Sequence, residues 1–103
     1  MIQFNKETFY KALDEGKLMM VDFWAEWCGY CVMLSPVLED LAQQYEGRVV
    51  AGKVNTDEVP ELAMRYSVMN LPTVVFFKDG KEIDRLVGAM PPDAFIQVLE
   101  KNL

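Results

Sequence analysis

Residues 18–25, Leu-Met-Met-Val-Asp-Phe-Trp-Ala, are apolar at odd and even positions alike, with Asp22 the single exception. Successive side chains of a strand point to opposite faces, so such a run leaves no face for water and suits a central strand covered on both sides. The flanking sequence supplies the cover. Residues 2–4 read as a short first strand, after which the Asn5 side chain can cap a helix running to about residue 15. That helix places Phe9 and Leu13 on one face and ends at Gly16. Helical spacing resumes after Cys28, with Leu34, Leu38, Leu41, Ala42 and Tyr45 on one stripe and Gly47 closing the helix. Pro36 falls inside it and is expected to kink it, because its ring meets the carbonyl of Val32. Residues 48–55 read as the next strand. Asp57 is positioned to cap a helix with Pro60 in its first turn and Val59, Leu62 and Tyr66 facing inward. Residues 73–77 and 82–87 flank Asp79-Gly80, a strong hairpin signal. Pro91-Pro92-Asp93 opens a last helix carrying Phe95, Val98 and Leu99. The order β-α-β-α-β-α-β-β-α predicts an α/β fold: a mixed sheet with parallel crossovers first, an antiparallel pair last and helices on both faces.

At 103 residues the chain is expected to form one domain over residues 1–103, and 51% hydrophobic residues suffice for its core. No apolar run approaches the roughly 18–20 residues of a membrane span. The start, Met1-Ile2-Gln3-Phe4-Asn5-Lys6, has no basic stretch followed by an apolar one, so the expected location is the cytoplasm. Sixteen acidic against ten basic residues give a net charge of −6, which repels phosphate backbones and argues against a nucleic-acid partner. Histidine is absent, which removes Ser-His-Asp and Cys-His catalysis and every His metal site.

The chemistry therefore falls on Cys28 and Cys31, the only cysteines, in Trp27-Cys28-Gly29-Tyr30-Cys31. Cys28 stands where a buried strand gives way to an amphipathic helix, and the free N–H groups and positive dipole end there favour an anion. Helix N-termini and Cys-X-X-Cys spacing lower a thiol pKa from about 8.5 to roughly 3.5–7.5. Cys31 lies one turn deeper on the same face, where it can attack the mixed disulfide that Cys28 forms with a substrate. This makes Cys28 the nucleophile and Cys31 the resolving thiol. A zinc knuckle competes for the same spacing, but a structural site needs four ligands and the chain offers two cysteines and no histidine. A purely structural disulfide competes too, yet closing so short a loop stabilises by only about 2 kcal/mol. Cys-X-X-Cys beside a βαβ pattern is a redox signature.

The segment Val21-Asp22-Phe23-Trp24-Ala25-Glu26-Trp27-Cys28-Gly29-Tyr30-Cys31 closely resembles the active-site stretch of bacterial thioredoxins. Pro36, Lys53 in Gly52-Lys53-Val54-Asn55, Leu71-Pro72-Thr73, Phe77-Lys78-Asp79-Gly80 and Val87-Gly88-Ala89 resemble the family in order and spacing across nearly the whole chain. The resemblance implies a thioredoxin fold, a five-stranded mixed β-sheet flanked by four α-helices, with a cis Leu71-Pro72 bond facing the cysteines. It also implies a groove in which the backbone of Leu71 pairs with an extended substrate segment. Trp27, Gly29, Tyr30, Met69, Leu71, Pro72, Gly88 and Ala89 would line it. Ordinary loop packing is the competing account of Met69.

Asp22 is the one polar residue in its strand, and Lys53 interrupts an apolar stretch of the next. Burial raises an Asp pKa, and near Cys31 such a carboxyl group could take that thiol's proton directly or through a water. In related thioredoxins the matching Asp and Lys carry this proton transfer. The competing account is that Asp22 faces solvent at a strand edge and that the Lys53 amine snorkels to water.

The chain departs from the family at two positions. Gly29-Tyr30 stands where Gly-Pro is usual, and Val32 where a Lys is common. Replacing Pro restores an N–H at the helix start, which favours the thiolate and the reduced dithiol. The absent Lys acts in the opposite sense but is an exposed, screened charge. The sum predicts a couple somewhat more oxidising than that of Gly-Pro thioredoxins. Tyr30 could alternatively tune partner recognition by placing an aromatic surface on the groove rim.

The function expected is protein-disulfide reduction with no bound cofactor or metal, the Cys28–Cys31 disulfide itself being the carrier. A separate thioredoxin reductase, either a flavoprotein or a ferredoxin-linked enzyme, would restore the dithiol, and the chain would act as a monomer on disulfide-containing proteins. A glutathione-dependent isomerase or glutaredoxin-like protein, or a binding subunit that stabilises another protein, are the alternatives.

Overall fold

Five strands, β1 (Ile2–Gln3), β2 (Met19–Trp24), β3 (Val50–Asn55), β4 (Thr73–Lys78) and β5 (Lys81–Val87), form one sheet of order β1-β3-β2-β4-β5 in the computed structural model, which describes residues 1–103. The doubly apolar run thus lies at the centre of the sheet. β2 pairs in parallel with β3, setting Asp22 opposite Lys53, and antiparallel with β4, setting Asp22 opposite Val74. β1 runs parallel to β3, and β5 antiparallel to β4. The sheet therefore holds two antiparallel pairs, one more than the hairpin alone predicts.

Four helices cover it: α1 (Lys6–Asp14), α2 (Gly29–Gln44), α3 (Pro60–Arg65) and α4 (Pro92–Asn102). The parity of β2 divides the core. Leu18 and Met20 join Val74 and Phe76 against Leu34, Leu38 and Leu41 of α2 and Phe95, Val98 and Leu99 of α4. Met19, Val21 and Phe23 join Val75 and Phe77 against Phe9 and Leu13 of α1 and Leu62 of α3. On this second face the Phe9 ring meets Phe4, Tyr10, Tyr66 and Phe77 edge to face at 5.4–5.8 Å. Such pairs add to the apolar burial that holds the layers together. Asp22 shares the parity of Met20 and so faces α2.

The local signals explain the element ends. Asn5 and Thr8 exchange side-chain and backbone hydrogen bonds in a capping box that opens α1. Asp79 and Gly80 both adopt positive φ, 55° and 77°, as a two-residue primed turn requires. Gly52 lies under the Phe4 ring, where a Cβ would collide with it. α2 runs unbroken through Pro36 and ends before Gly47, at Gln44. One capping assignment fails. α3 has Val59 at its N-cap with no side-chain cap. The preceding turn is held by the Asn55 side-chain Oδ1, which accepts from the Asp57 and Glu58 backbone N–H groups at 3.0 and 3.3 Å. Asp57 does not cap α3 because its carboxylate is engaged elsewhere, as described next.

Candidate redox site

The site forms where β2 passes into α2. Cys28 is the N-cap of α2, in extended conformation, and Cys31 is the third residue of the helix. The Cys28 Sγ accepts the Cys31 backbone N–H at 3.2 Å, the hydrogen bond an N-cap oxygen ordinarily makes. The two cysteines are joined as a disulfide with their Cα atoms 5.2 Å apart. The first turn of α2 contains no acidic residue, so nothing there opposes a thiolate on the positive end of the helix. Both sulfurs sit in a small cluster with Ala25, against which Trp24 and Leu71 pack. Cys28 retains 7% exposure and Cys31 only 2%, which makes Cys28 the more accessible of the two.

Beneath Cys31 lies a cavity of about 130 Å³ lined by Asp22, Trp24, Cys31, Val32, Ser35 and Lys53. Asp22 is buried, not at a solvent-facing edge, and its Oδ1 has no hydrogen-bond partner; neither has the buried Trp24 Nε1. Burial pushes the Asp22 carboxyl up from 3.8 to about 7, with the nearby Lys53 charge pulling it partway back. Lys53 makes no ion pair with Asp22. Its ammonium lies 4.7 Å from the centroid of the Trp24 ring, over the ring face, on a half-buried side chain. A carboxyl group that titrates near neutrality beside a thiol can accept that thiol's proton.

The remaining residues of the expected groove differ in how the structure places them. Trp27, Tyr30 and Met69 are 72%, 66% and 85% exposed, so Met69 is not packed into its loop. Gly29, the first residue of α2, is exposed, and a Cβ there would meet nothing within 4 Å. The Leu71-Pro72 bond is cis, with Leu71 against the cysteine cluster and Pro72 buried. The Gly88 N–H donates to the Pro72 carbonyl at 2.8 Å, which brings Gly88 and the exposed Ala89 to the same end of the sheet.

Three further residues join the site. The Trp27 indole N–H donates to the Asp57 carboxylate at 2.9 Å, so Asp57 anchors the exposed ring across 30 residues of sequence. No local pattern announces this contact. Ser35 follows Cys31 by one helical turn and Trp24 follows Asp22 by two strand positions, spacings that place each on the face of its neighbour. No group of three or more Cys, Asp or Glu side chains is arranged to hold a metal ion.

Two thiols sharing one helical turn can give up a pair of electrons by forming their disulfide and regain them when it is reduced, with no bound cofactor. The class that this fold and site define is the thiol–disulfide oxidoreductases. A family model described as Thioredoxin matches residues 1–101. "Thioredoxin 1" of Nostoc sp. is 46% identical over 98% of this chain and 95% of its own length. "Thioredoxin" of Chlorobaculum thiosulfatiphilum is 43% identical over 96% and 92%, and that of Staphylococcus aureus 47% over 86% of each chain. A chain from a structural study of "the thiol resolving mechanism in yeast mitochondrial 1-Cys peroxiredoxin via glutathione/thioredoxin systems" superposes with a TM-score of 0.89. It is 31% identical, over 98% of this chain and 94% of its own. The chain belongs to the thioredoxin family, and it is a protein-disulfide reductase that works by dithiol–disulfide exchange.

Proposed function

We propose that this chain is a bacterial-type thioredoxin in which residues 1–103 form one domain, Cys28 is the attacking thiol and Cys31 the resolving one. The observation that carries the assignment is the Cys28 Sγ at the N-cap of α2, accepting the Cys31 N–H at 3.2 Å and more exposed than Cys31. In the reduced protein the same N–H and the helix end favour a thiolate on Cys28. That thiolate attacks one sulfur of a substrate disulfide, forming a mixed disulfide and releasing the other substrate sulfur as a thiolate. Asp22, whose carboxyl pKa is raised by burial to about 7, takes the proton of Cys31 within their shared cavity. The Cys31 thiolate attacks the Cys28 sulfur, the second substrate thiolate leaves, and two electrons have passed to the substrate, now two thiols, as Cys28 and Cys31 are oxidised to their disulfide. Lys53 acts through its charge, holding the Asp22 pKa below the value burial alone would set.

Trp27, Gly29, Tyr30, Met69, Leu71, Pro72, Gly88 and Ala89 form the rim on which an extended segment of the substrate lies, paired to the Leu71 backbone. The electron source is a separate thioredoxin reductase, flavoprotein or ferredoxin-linked, and no cofactor is bound by this chain. The protein works as a monomer in the cytoplasm, on disulfide-containing proteins and not on nucleic acid or membranes. No helix is long and apolar enough to cross a bilayer, and the net charge of −6 disfavours phosphate backbones.

A Cys31→Ser variant tests the division of labour. Challenged with a small disulfide protein such as insulin, it is expected to accumulate a mixed disulfide through Cys28, identifiable by peptide mass. An adduct that forms only in Cys28→Ser, through Cys31, reverses the assignment.

A further inference from the structure

The rim around Cys28 carries no positive charge; the one cation of the site, Lys53, lies in the cavity beneath Cys31 with its ammonium over the Trp24 ring. None of the ten Lys and Arg residues falls in residues 26–33, 56–61, 66–77 or 86–94, the segments that carry the cysteines and the rim. The cations bordering those segments are committed elsewhere. The Arg65 guanidinium lies over the Tyr10 and Tyr66 rings, and the Lys78 ammonium donates to the Asn102 carbonyl at 2.6 Å. Arg85 is held by the Glu82 carboxylate and the Tyr66 carbonyl. The same four segments contain the carboxylates of Glu26, Asp57, Glu58, Glu61 and Asp93.

Large apolar side chains are exposed on this face: Trp27, Tyr30, Val32, Met33 and Met69, with Val32 at a position where a Lys is common in the family. Two of them are aromatic, and Trp27 has a built-in electrostatic partner. Its N–H donates to the Asp57 carboxylate, which enriches the indole in electron density and sets a negative charge at the ring edge. Glu26 precedes Trp27 and Glu58 follows Asp57 in the chain. A cation laid over the indole face meets both the ring quadrupole and these carboxylates.

We propose that this face selects disulfide proteins whose reactive cysteine is flanked by Lys or Arg. The basic side chain stacks on Trp27 or Tyr30 within the negative field of Glu26, Asp57 and Glu58, while apolar neighbours of the cysteine meet Val32, Met33 and Met69. Acidic disulfides, glutathione disulfide among them, are disfavoured by the same field. The inference rests on the reading of Cys28 as the attacking thiol and of its surroundings as the substrate rim.

The test uses the reduced full-length chain and three disulfide peptides that are identical except for Lys, Gln or Glu beside the cysteines. At low ionic strength, about 0.01 M, the second-order rate constants should fall in the order Lys, Gln, Glu, with the extremes at least about tenfold apart. At about 1 M salt the spread should shrink toward the short-range stacking contribution alone. Combining Glu26→Lys with Glu58→Lys should compress or invert the order at low salt. Ratios between peptides on one protein are the readout, so a general loss of activity in the variant cancels. Equal rates for the three peptides, or a spread indifferent to salt and to the charge reversals, would overturn the inference while leaving the reductase reading intact. Failure to reduce any of the three would overturn that reading and the inference with it.

Discussion

Replacing Asp22 by Asn should stabilise the oxidised protein, and by an amount that depends on pH. Asp22 is 3% exposed with one oxygen unpartnered, so solvent does not screen it and its charge is poorly solvated. Burial raises its pKa from 3.8 to about 7. Between those values the folded chain holds a proton that the unfolded chain has released. The contribution of Asp22 to stability therefore falls as pH rises, by about 1.4 kcal/mol per unit, because at this group the native state binds more protons than the unfolded one. The fall begins above the unfolded value of 3.8 and levels off above the folded value of about 7. A shift of roughly three units corresponds to about 4 kcal/mol of destabilisation in the ionised state. Asn mimics the protonated acid in shape and never ionises. Guanidinium unfolding of both oxidised proteins at about pH 5 and about pH 8.5 isolates this one group. The Asn variant should gain about 1 M in its midpoint relative to the parent at the higher pH, and distinctly less at the lower. A stability difference that stays constant between the two pH values would refute the account of a buried, desolvated carboxyl.

Other consequences are more local. Asp22→Asn should also slow resolution of the mixed disulfide, and resolution kinetics unchanged across about pH 6 to 9 would remove Asp22 as the base. Tyr30→Pro deletes an N–H at the start of α2 and should lower the reduction potential of the couple; titration against thiol buffers that finds it unchanged or raised contradicts the donor argument. Gly52→Ala puts a Cβ into the Phe4 ring and should cost about 1–3 kcal/mol by overpacking, read from denaturant unfolding, whereas a neutral substitution would mean that the β1 end of the sheet yields freely.

The fold was largely legible because its strongest signals are local. The doubly apolar 18–25 run reports its own burial, Asp79-Gly80 reports its own turn, and the stripe from Leu34 to Leu41 reports the face of α2 that meets the sheet. Strand order is different in kind. Nothing in the sequence of β4 says that it lies beside β2 or runs antiparallel to it, since that follows from packing among distant segments. The misassigned cap of α3 has the same origin. Asp57 is a good local cap, but the Trp27 indole competes for its carboxylate from 30 residues away, and Asn55 closes the turn instead. The cysteines were legible from spacing and helix position, and Asp22 from its isolation in an apolar strand. Lys53 is ambiguous in the sequence because a long side chain can end in water or on a ring, and its contact with the Trp24 ring depends on the pairing of two distant strands. The cis Leu71-Pro72 bond was legible only by resemblance, since few X–Pro bonds in folded proteins are cis.

The most direct test of disulfide exchange at Cys28 and Cys31 is an equilibrium titration of the couple against defined thiol/disulfide buffers, followed by Trp24 and Trp27 fluorescence and by thiol counting. The account predicts one two-electron transition, with both thiols appearing together, at a potential below the cytosolic glutathione poise of roughly −220 to −260 mV. A transition above that poise would contradict a reductase and favour an isomerase or oxidant, and the absence of any reversible disulfide would contradict the redox assignment altogether.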